Sequence, residues 1–139
     1  MNKCKDTANH FSNNLLDTHT LIWFFQGYAR FSDKMRLLIE DQNNEKLISI
    51  VSVWEMSIKQ SIGKLSFSLP IKAFIEQQLV LHDFNLLNIN LDHIDVITTL
   101  PLQHRDPFDR ILIAQAMVEK IPIISADRAF DAYSITRLW

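Results

Sequence analysis

The stretch DPFDRILIAQAMVEKIPIIS, Asp106 to Ser125, decides the architecture. Its first part reads as a helix, with Asp106 as cap, Pro107 at the first helical position and Asp109 in the first turn. The short apolar run IPIIS follows at once and reads as a buried strand. A helix that leads so directly into a buried strand is half of a strand–helix–strand unit. Such units cross over right-handed and build parallel sheets.

Working outward, the same alternation recurs. NNLLDTHTLIWFF gives a short strand ending at Asp17, then helical spacing through Leu21, Ile22 and Phe25. FSDKMRLLIEDQ predicts an amphipathic helix capped by Ser32. EKLISIVSVWEMSIKQSIGK begins as a buried strand and is expected to turn helical at Ser52, ending at Gly63 in the left-handed conformation. LPIKAFIEQQLVLHD predicts a helix with proline in its first turn, FNLLNI a strand, and LDHIDVITTL a helix stopped by Pro101. ADRAFDAY reads as a helical turn and SITRLW as a last strand. The fold class expected is α/β, a three-layer α/β/α sandwich around a mainly parallel sheet.

Composition narrows the classes. The 139 residues suit one domain, expected over 14–139 behind a flexible leader at 1–13. At 47% hydrophobic and 22% charged, the chain is globular in composition, not that of a disordered chain. No run approaches the ~20 apolar residues of a membrane span, and MNKCKDTANHFSNN lacks the apolar core of a signal peptide, so a cytoplasmic location is expected. The single cysteine, Cys4, rules out an internal disulfide and thiolate zinc sites. A net charge of −2 carries no basic signature of a nucleic-acid partner, although a local basic patch can coexist with an acidic average.

In a parallel sheet, ligands bind beyond the carboxyl ends of the strands. Asp17, Glu55 and Asp127 each fall where a strand hands over to a helix, and Asp109 lies in the first turn of the helix that feeds IPIIS. Each has a purely structural reading. Asp17 caps THTLIWFF, Asp127 caps RAFDAY, Asp109 suits the helix dipole, and SVWE from Ser52 is a capping box with Glu55 reaching back. Taken together they are harder to dismiss, because parallel topology gathers helix starts at one edge and crowds their charges. Like charges raise each other's pKa unless a counter-charge is supplied. A divalent cation answers that need, and an all-carboxylate set selects Mg²⁺ or Mn²⁺ over zinc. Such ions activate water and neutralise phosphate oxygens, and a pair of them suits phosphodiester hydrolysis.

LLDTHTLIWF, SVWEMSIKQSIGKL, HRDPFDRILIAQA and IPIISADRAFDAY come in the order and approximate spacing of a PIN domain. The chain resembles that family from about Leu15 to its C-terminus, and within it a VapC-type toxin ribonuclease of a bacterial toxin–antitoxin pair. The resemblance implies an acidic quartet binding Mg²⁺ or Mn²⁺, matched by Asp17, Glu55, Asp109 and Asp127 as catalytic and metal-binding residues. It also implies hydrolysis of RNA, commonly tRNA or rRNA, inhibition by a cognate antitoxin entering the active-site groove, and a homodimer. Two features depart from the pattern: the first acid comes late, at 17, and Asp106 is an additional acid.

Around the quartet, Thr18 and Ser125 suit hydroxyls that hold metal carboxylates, and Asp106 suits the cap with a supporting role beside Asp109 as its alternative. His19 orients a phosphate or a water, or simply packs on its helix face. Arg105, Arg110 and Arg128 clamp phosphates or an antitoxin carboxylate, or neutralise nearby aspartates. Lys59 and Lys64 read as solvated helix charges. Trp23, Phe24 and Phe25 cannot all face inward, and with FSDKMRLLIE they form the expected antitoxin or dimer contact, tested at Trp23 and Met35.

Three rivals compete with a metal-dependent ribonuclease. A receiver domain needs a phosphoacceptor Asp after the third strand and a Lys after the fifth, and neither is in place. A haloacid-dehalogenase-type phosphohydrolase needs D-x-D, where DTHT has His19. A catalytically silent binding module, or a nuclease acting on other RNA or DNA outside a toxin–antitoxin context, is the remaining alternative.

Overall fold

The computed structural model of the chain describes residues 12–27, 31–102 and 106–139. Five strands form one sheet: β1 (Ser12–Leu16), β2 (Asn44–Ser49), β3 (Phe84–Leu87), β4 (Ile123–Ile124) and β5 (Arg137–Leu138). Their order is β3-β2-β1-β4-β5, and every pairing is parallel. Six helices flank the sheet among the described residues: α1 (Thr18–Gln26), α2 (Asp33–Glu40), α3 (Ile50–Ser61), α4 (Ile71–Leu81), α5 (Leu91–Thr99) and α6 (Pro107–Glu119). A short 3-10 helix, Arg128–Ala132, joins β4 to β5.

Strand alternation explains the layers. Leu16, Ile48 and Ile124 enter one core with Leu21 and Phe24 of α1, Met35 and Ile39 of α2, Met56 of α3 and Ile75 of α4. Leu15 and Ile123 point the other way, into a second core with Leu112, Ile113 and Ala116 of α6 and Phe130. Adjacent residues of one strand therefore serve opposite faces, which is why LL and II occur as doublets. Each fully buried Leu or Ile contributes roughly 2 kcal/mol. The two cores, rather than caps worth about 1 kcal/mol each, hold the layers together.

Several boundaries differ from the sequence reading. β1 begins at Ser12, so residues 12 and 13 assigned to the leader belong to the sheet, and residues 1–11 lie outside the described residues. α3 starts at Ile50, two residues before Ser52. Its cap is Ser49, whose hydroxyl accepts the Val51 N–H at 3.1 Å. Ser52 instead lies inside the helix, fully buried, bonded to Thr18 across the sheet edge. Pro70 stands at the cap of α4 rather than inside its first turn. Gly63 does take the left-handed conformation after α3, with φ 78°.

Candidate active site

Strand order reverses between β1 and β4, neighbours whose connections leave in opposite directions. A crevice opens at such a point beyond the carboxyl ends of the strands. Asp17 follows β1, and Asp127 stands three residues after Ile124, the end of β4. The backbone N–H of Asp17 donates to the Ile124 carbonyl at 3.2 Å, which fixes the two chain exits side by side.

Asp17 is held from two directions and is only 3% exposed. Its Oδ1 accepts the backbone N–H of Thr20 at 2.7 Å, which caps α1. Its Oδ2 accepts the hydroxyl of Ser125 at 2.5 Å. Burial pushes its pKa up, opposed by the bonds from Ser125 and Thr20. Ser125 is itself placed by the sheet: its hydroxyl accepts the Asp127 N–H at 2.9 Å, and its carbonyl accepts from Arg137 at 3.1 Å. Arg137 also grips Asp131 through two bonds of 2.9 and 3.1 Å.

Glu55 lies in the second turn of α3, beyond reach of the orphan amides that a capping box serves. The structural reading of SVWE is thereby overturned. Glu55 is buried, and its Oε1 has no hydrogen-bond partner among the described residues. A buried carboxylate oxygen left so costs stability and calls for another explanation.

Asp109 sits in the first turn of α6, where Asp106 caps the helix by accepting the N–H groups of Phe108 at 2.9 Å and Asp109 at 3.3 Å. Its pKa is raised to about 7, first by burial and then by the charges of Asp106, Asp17, Glu55 and Asp127. Those neighbours are the other three acids of the quartet and the cap. Among the described residues, no group of three or more His, Cys, Asp or Glu is arranged to hold a metal ion without rearrangement.

The surrounding residues divide. Thr18 is buried and donates to the Ser52 hydroxyl at 2.9 Å, tying α1 to α3. Asp127 is exposed and caps the 3-10 helix through the Ala129 N–H at 2.9 Å. Arg110 donates to the carbonyls of Pro101 at 2.9 Å and Leu100 at 3.1 Å, at the end of α5. Arg128 is exposed on the 3-10 helix. His104 and Arg105 lie outside the described residues. His19 is exposed and meets Trp23 with ring centroids 6.3 Å apart. A pocket of about 290 Å³ is lined by Asp17, His19, Trp23, Ala126 and Asp127.

Of the three aromatics in succession, Phe24 is buried while Trp23 and Phe25 are half-buried. Met35 cannot serve as a partner contact, because the helical period turns it into the core at 1% exposure. Leu37, at 69%, is the exposed apolar residue of α2.

Thr20, Gln115 and Arg137 support the site without having been singled out in the sequence, and Ser52, read there as a helix cap, supports it from inside α3. Gln115 is fully buried and accepts the Ser49 hydroxyl at 2.6 Å, joining α6 to the cap of α3.

The family model for the PIN domain matches residues 15–135. No curated protein matches the sequence. Among solved structures, the chain is similar to VapBC2 from Rickettsia felis bound to a DNA fragment from their promoter, with TM-score 0.69 and 12% identity, covering 91% of this chain and 98% of that one. FitAcB from Neisseria gonorrhoeae gives 0.64 and 15%, covering 91% and 96%. A toxin–antitoxin complex from Klebsiella pneumoniae gives 0.62 and 19%, with the same coverage. At these identities the likeness is one of fold.

Proposed function

Because the chain belongs to the PIN domain family, we propose that it is a Mg²⁺- or Mn²⁺-dependent endoribonuclease, the toxin of a toxin–antitoxin pair. The observation that carries this reading is the convergence on Asp109. Its carboxyl is pushed to about 7 by burial and by Asp106, Asp17, Glu55 and Asp127. Carboxylates whose charge is disfavoured by burial and by one another are carboxylates that a cation would stabilise.

The donor set fits such an ion. All four groups are oxygen donors, and Glu55 Oε1 is buried with no hydrogen-bond partner among the described residues. Mg²⁺ takes one or two carboxylates and keeps several waters, so it does not require a preformed cage. Bound among Asp17, Glu55, Asp109 and Asp127, the ion would activate water and neutralise phosphate oxygens.

The chain's own residues supply order. Ser125 and Thr20 hold the Asp17 carboxylate in one orientation, so little is lost in fixing it when substrate arrives. Ser125 also accepts the Asp127 N–H at the start of the 3-10 turn, and Asp17 and Asp127 line one pocket, which supports a shared role. Hydrolysis adds water across the P–O3′ bond, leaving a 5′-phosphate and a free 3′-hydroxyl that takes up the proton.

RNA as substrate, tRNA or rRNA among the classes expected, and a cognate antitoxin as partner follow from the family resemblance. Toxin–antitoxin complexes among the structural relatives support the antitoxin. A homodimer and a cytoplasmic setting belong to the same reading, as does a single nuclease domain. The decisive test expresses wild type and Asp109→Asn and maps RNA ends in arrested cells, with purified protein assayed in Mg²⁺ and in EDTA. New 5′-phosphate ends are expected with wild type in Mg²⁺ alone. Undiminished cleavage in EDTA, or by Asp109→Asn, sinks the reading.

A further inference from the structure

Beside the acids the surface changes character. His19 and Trp23 stand one turn apart on α1, so both project from the helix face that starts at Asp17. Their rings meet at 6.3 Å with a tilt of 50°. The indole of Trp23 also meets Trp139 edge-on at 5.9 Å, and Trp139 meets Phe31 at 6.0 Å. Phe31 belongs to the core at 4% exposure, so this aromatic row is braced from behind. The 290 Å³ pocket in front of it is walled by His19, Trp23 and Ala126 and shares Asp17 and Asp127 with the candidate site.

We propose that this pocket receives a nucleobase of single-stranded RNA, stacked against Trp23, from a nucleotide next to the phosphate held among the acids. The proposal rests on the ribonuclease reading and adds how the strand is seated. The lining of the pocket carries two carboxylates and, among the described residues, no lysine or arginine, so charge on its walls does not by itself hold a phosphate chain there. Base stacking supplies attraction that does not depend on charge, and every base has a π-face to offer. The volume lies at the lower end of small-molecule sites, about 300 Å³, which suits one planar ring system rather than a longer segment. Unpaired bases are what an aromatic shelf can reach, so single strands, loops and bulges are the expected substrates.

The test follows the indole N–H signals of Trp23 and Trp139 by NMR in full-length Asp109→Asn protein, assigned with Trp23→Phe and Trp139→Phe. Short oligouridylate and oligoadenylate are titrated against an abasic ribose-phosphate oligomer of equal length. Both base-bearing oligomers are expected to shift the Trp23 signal and to bind about five- to a hundred-fold tighter than the abasic one. Trp23→Ala should erase that preference, while Trp23→Phe, which keeps a ring in place, should retain most of it. Equal binding of abasic and base-bearing oligomers overturns the proposal, as does a preference that survives in a folded Trp23→Ala. Signals that answer to arginine amide and to none of the oligomers also overturn it, in favour of a protein side chain as occupant. Cleavage that survives Asp109→Asn or EDTA would defeat the ribonuclease reading while leaving these binding results as they stand.

Discussion

The hydroxyl of Ser125 donates to Oδ2 of Asp17 at 2.5 Å across a separation of 108 residues. That bond joins the exits of β1 and β4, the two strands between which the order of the sheet reverses. The same oxygen of Ser125 accepts the Asp127 N–H, so one side chain orients two of the four acids. Ser125→Ala should leave the fold intact and lower RNA cleavage by about 10- to 100-fold, the usual cost of removing a group that orients metal carboxylates. Cleavage rates at several Mg²⁺ concentrations check this, and wild-type rates throughout would count against it.

Asp109 links the site to stability. Its carboxyl has an ordinary pKa of 3.8 unfolded and about 7 folded. Between those values the folded state holds the extra proton. Its contribution to stability is therefore full below about pH 4 and is lost as pH rises through about 7. Asp109→Asn removes this dependence. Without divalent ions, the melting temperature of the variant relative to wild type should climb from about pH 5 to about pH 8. Melting curves across that range decide the matter, and a constant difference would contradict it.

Divalent ions should reverse that ordering. An ion that binds only the folded state stabilises it by mass action. At mildly alkaline pH, Mg²⁺ or Mn²⁺ should raise the melting temperature of wild type and have much less effect on Asp109→Asn or Asp17→Asn. Equal shifts in all three proteins would place the ion elsewhere.

Asp106 carries two opposing effects. Its side chain caps α6, while its charge helps raise the pKa of Asp109. Asp106→Asn keeps a capping oxygen and removes the charge, so it should match or exceed wild type in stability above neutral pH. Asp106→Ala loses the cap at about 1 kcal/mol. Denaturant midpoints of the two variants give the comparison, and Asn falling as low as Ala would contradict the cap.

Arg110 separates a structural cation from a phosphate clamp. Its guanidinium donates to the carbonyls of Leu100 and Pro101, closing the end of α5. Arg110→Ala should lower stability by roughly 1 kcal/mol while leaving the Michaelis constant for RNA unchanged. A raised constant with unaltered stability would return Arg110 to the substrate.

The parts legible in the sequence are those with local causes. Pro107, the Asp106 cap and the apolar run of IPIIS are neighbours in the chain, so α6 and β4 could be read without knowing what they pack against. The apolar runs in EKLISIV and IPIIS announced buried strands, and acids placed after three of the strands implied one edge. At Ser49 and Ser52 local chemistry was ambiguous, since either serine could begin the helix. Burial of Ser52 against Thr18, 34 residues away, settled the choice and left Glu55 beyond the capping turn.

Sequence alone determined the α/β alternation and the helix starts with strong caps, and it named the candidate acids, because hydrophobic period and capping act within a few residues. Tertiary structure decided what these acids face: Asp17 bound by Ser125, Glu55 with an oxygen unpartnered among the described residues, and Asp109 among four other carboxylates. It likewise turned Met35 inward, sent Arg110 to the carbonyls after α5, and set Trp139 against Trp23. Those outcomes depend on strand order and register, which bring distant residues together and which no local spacing records.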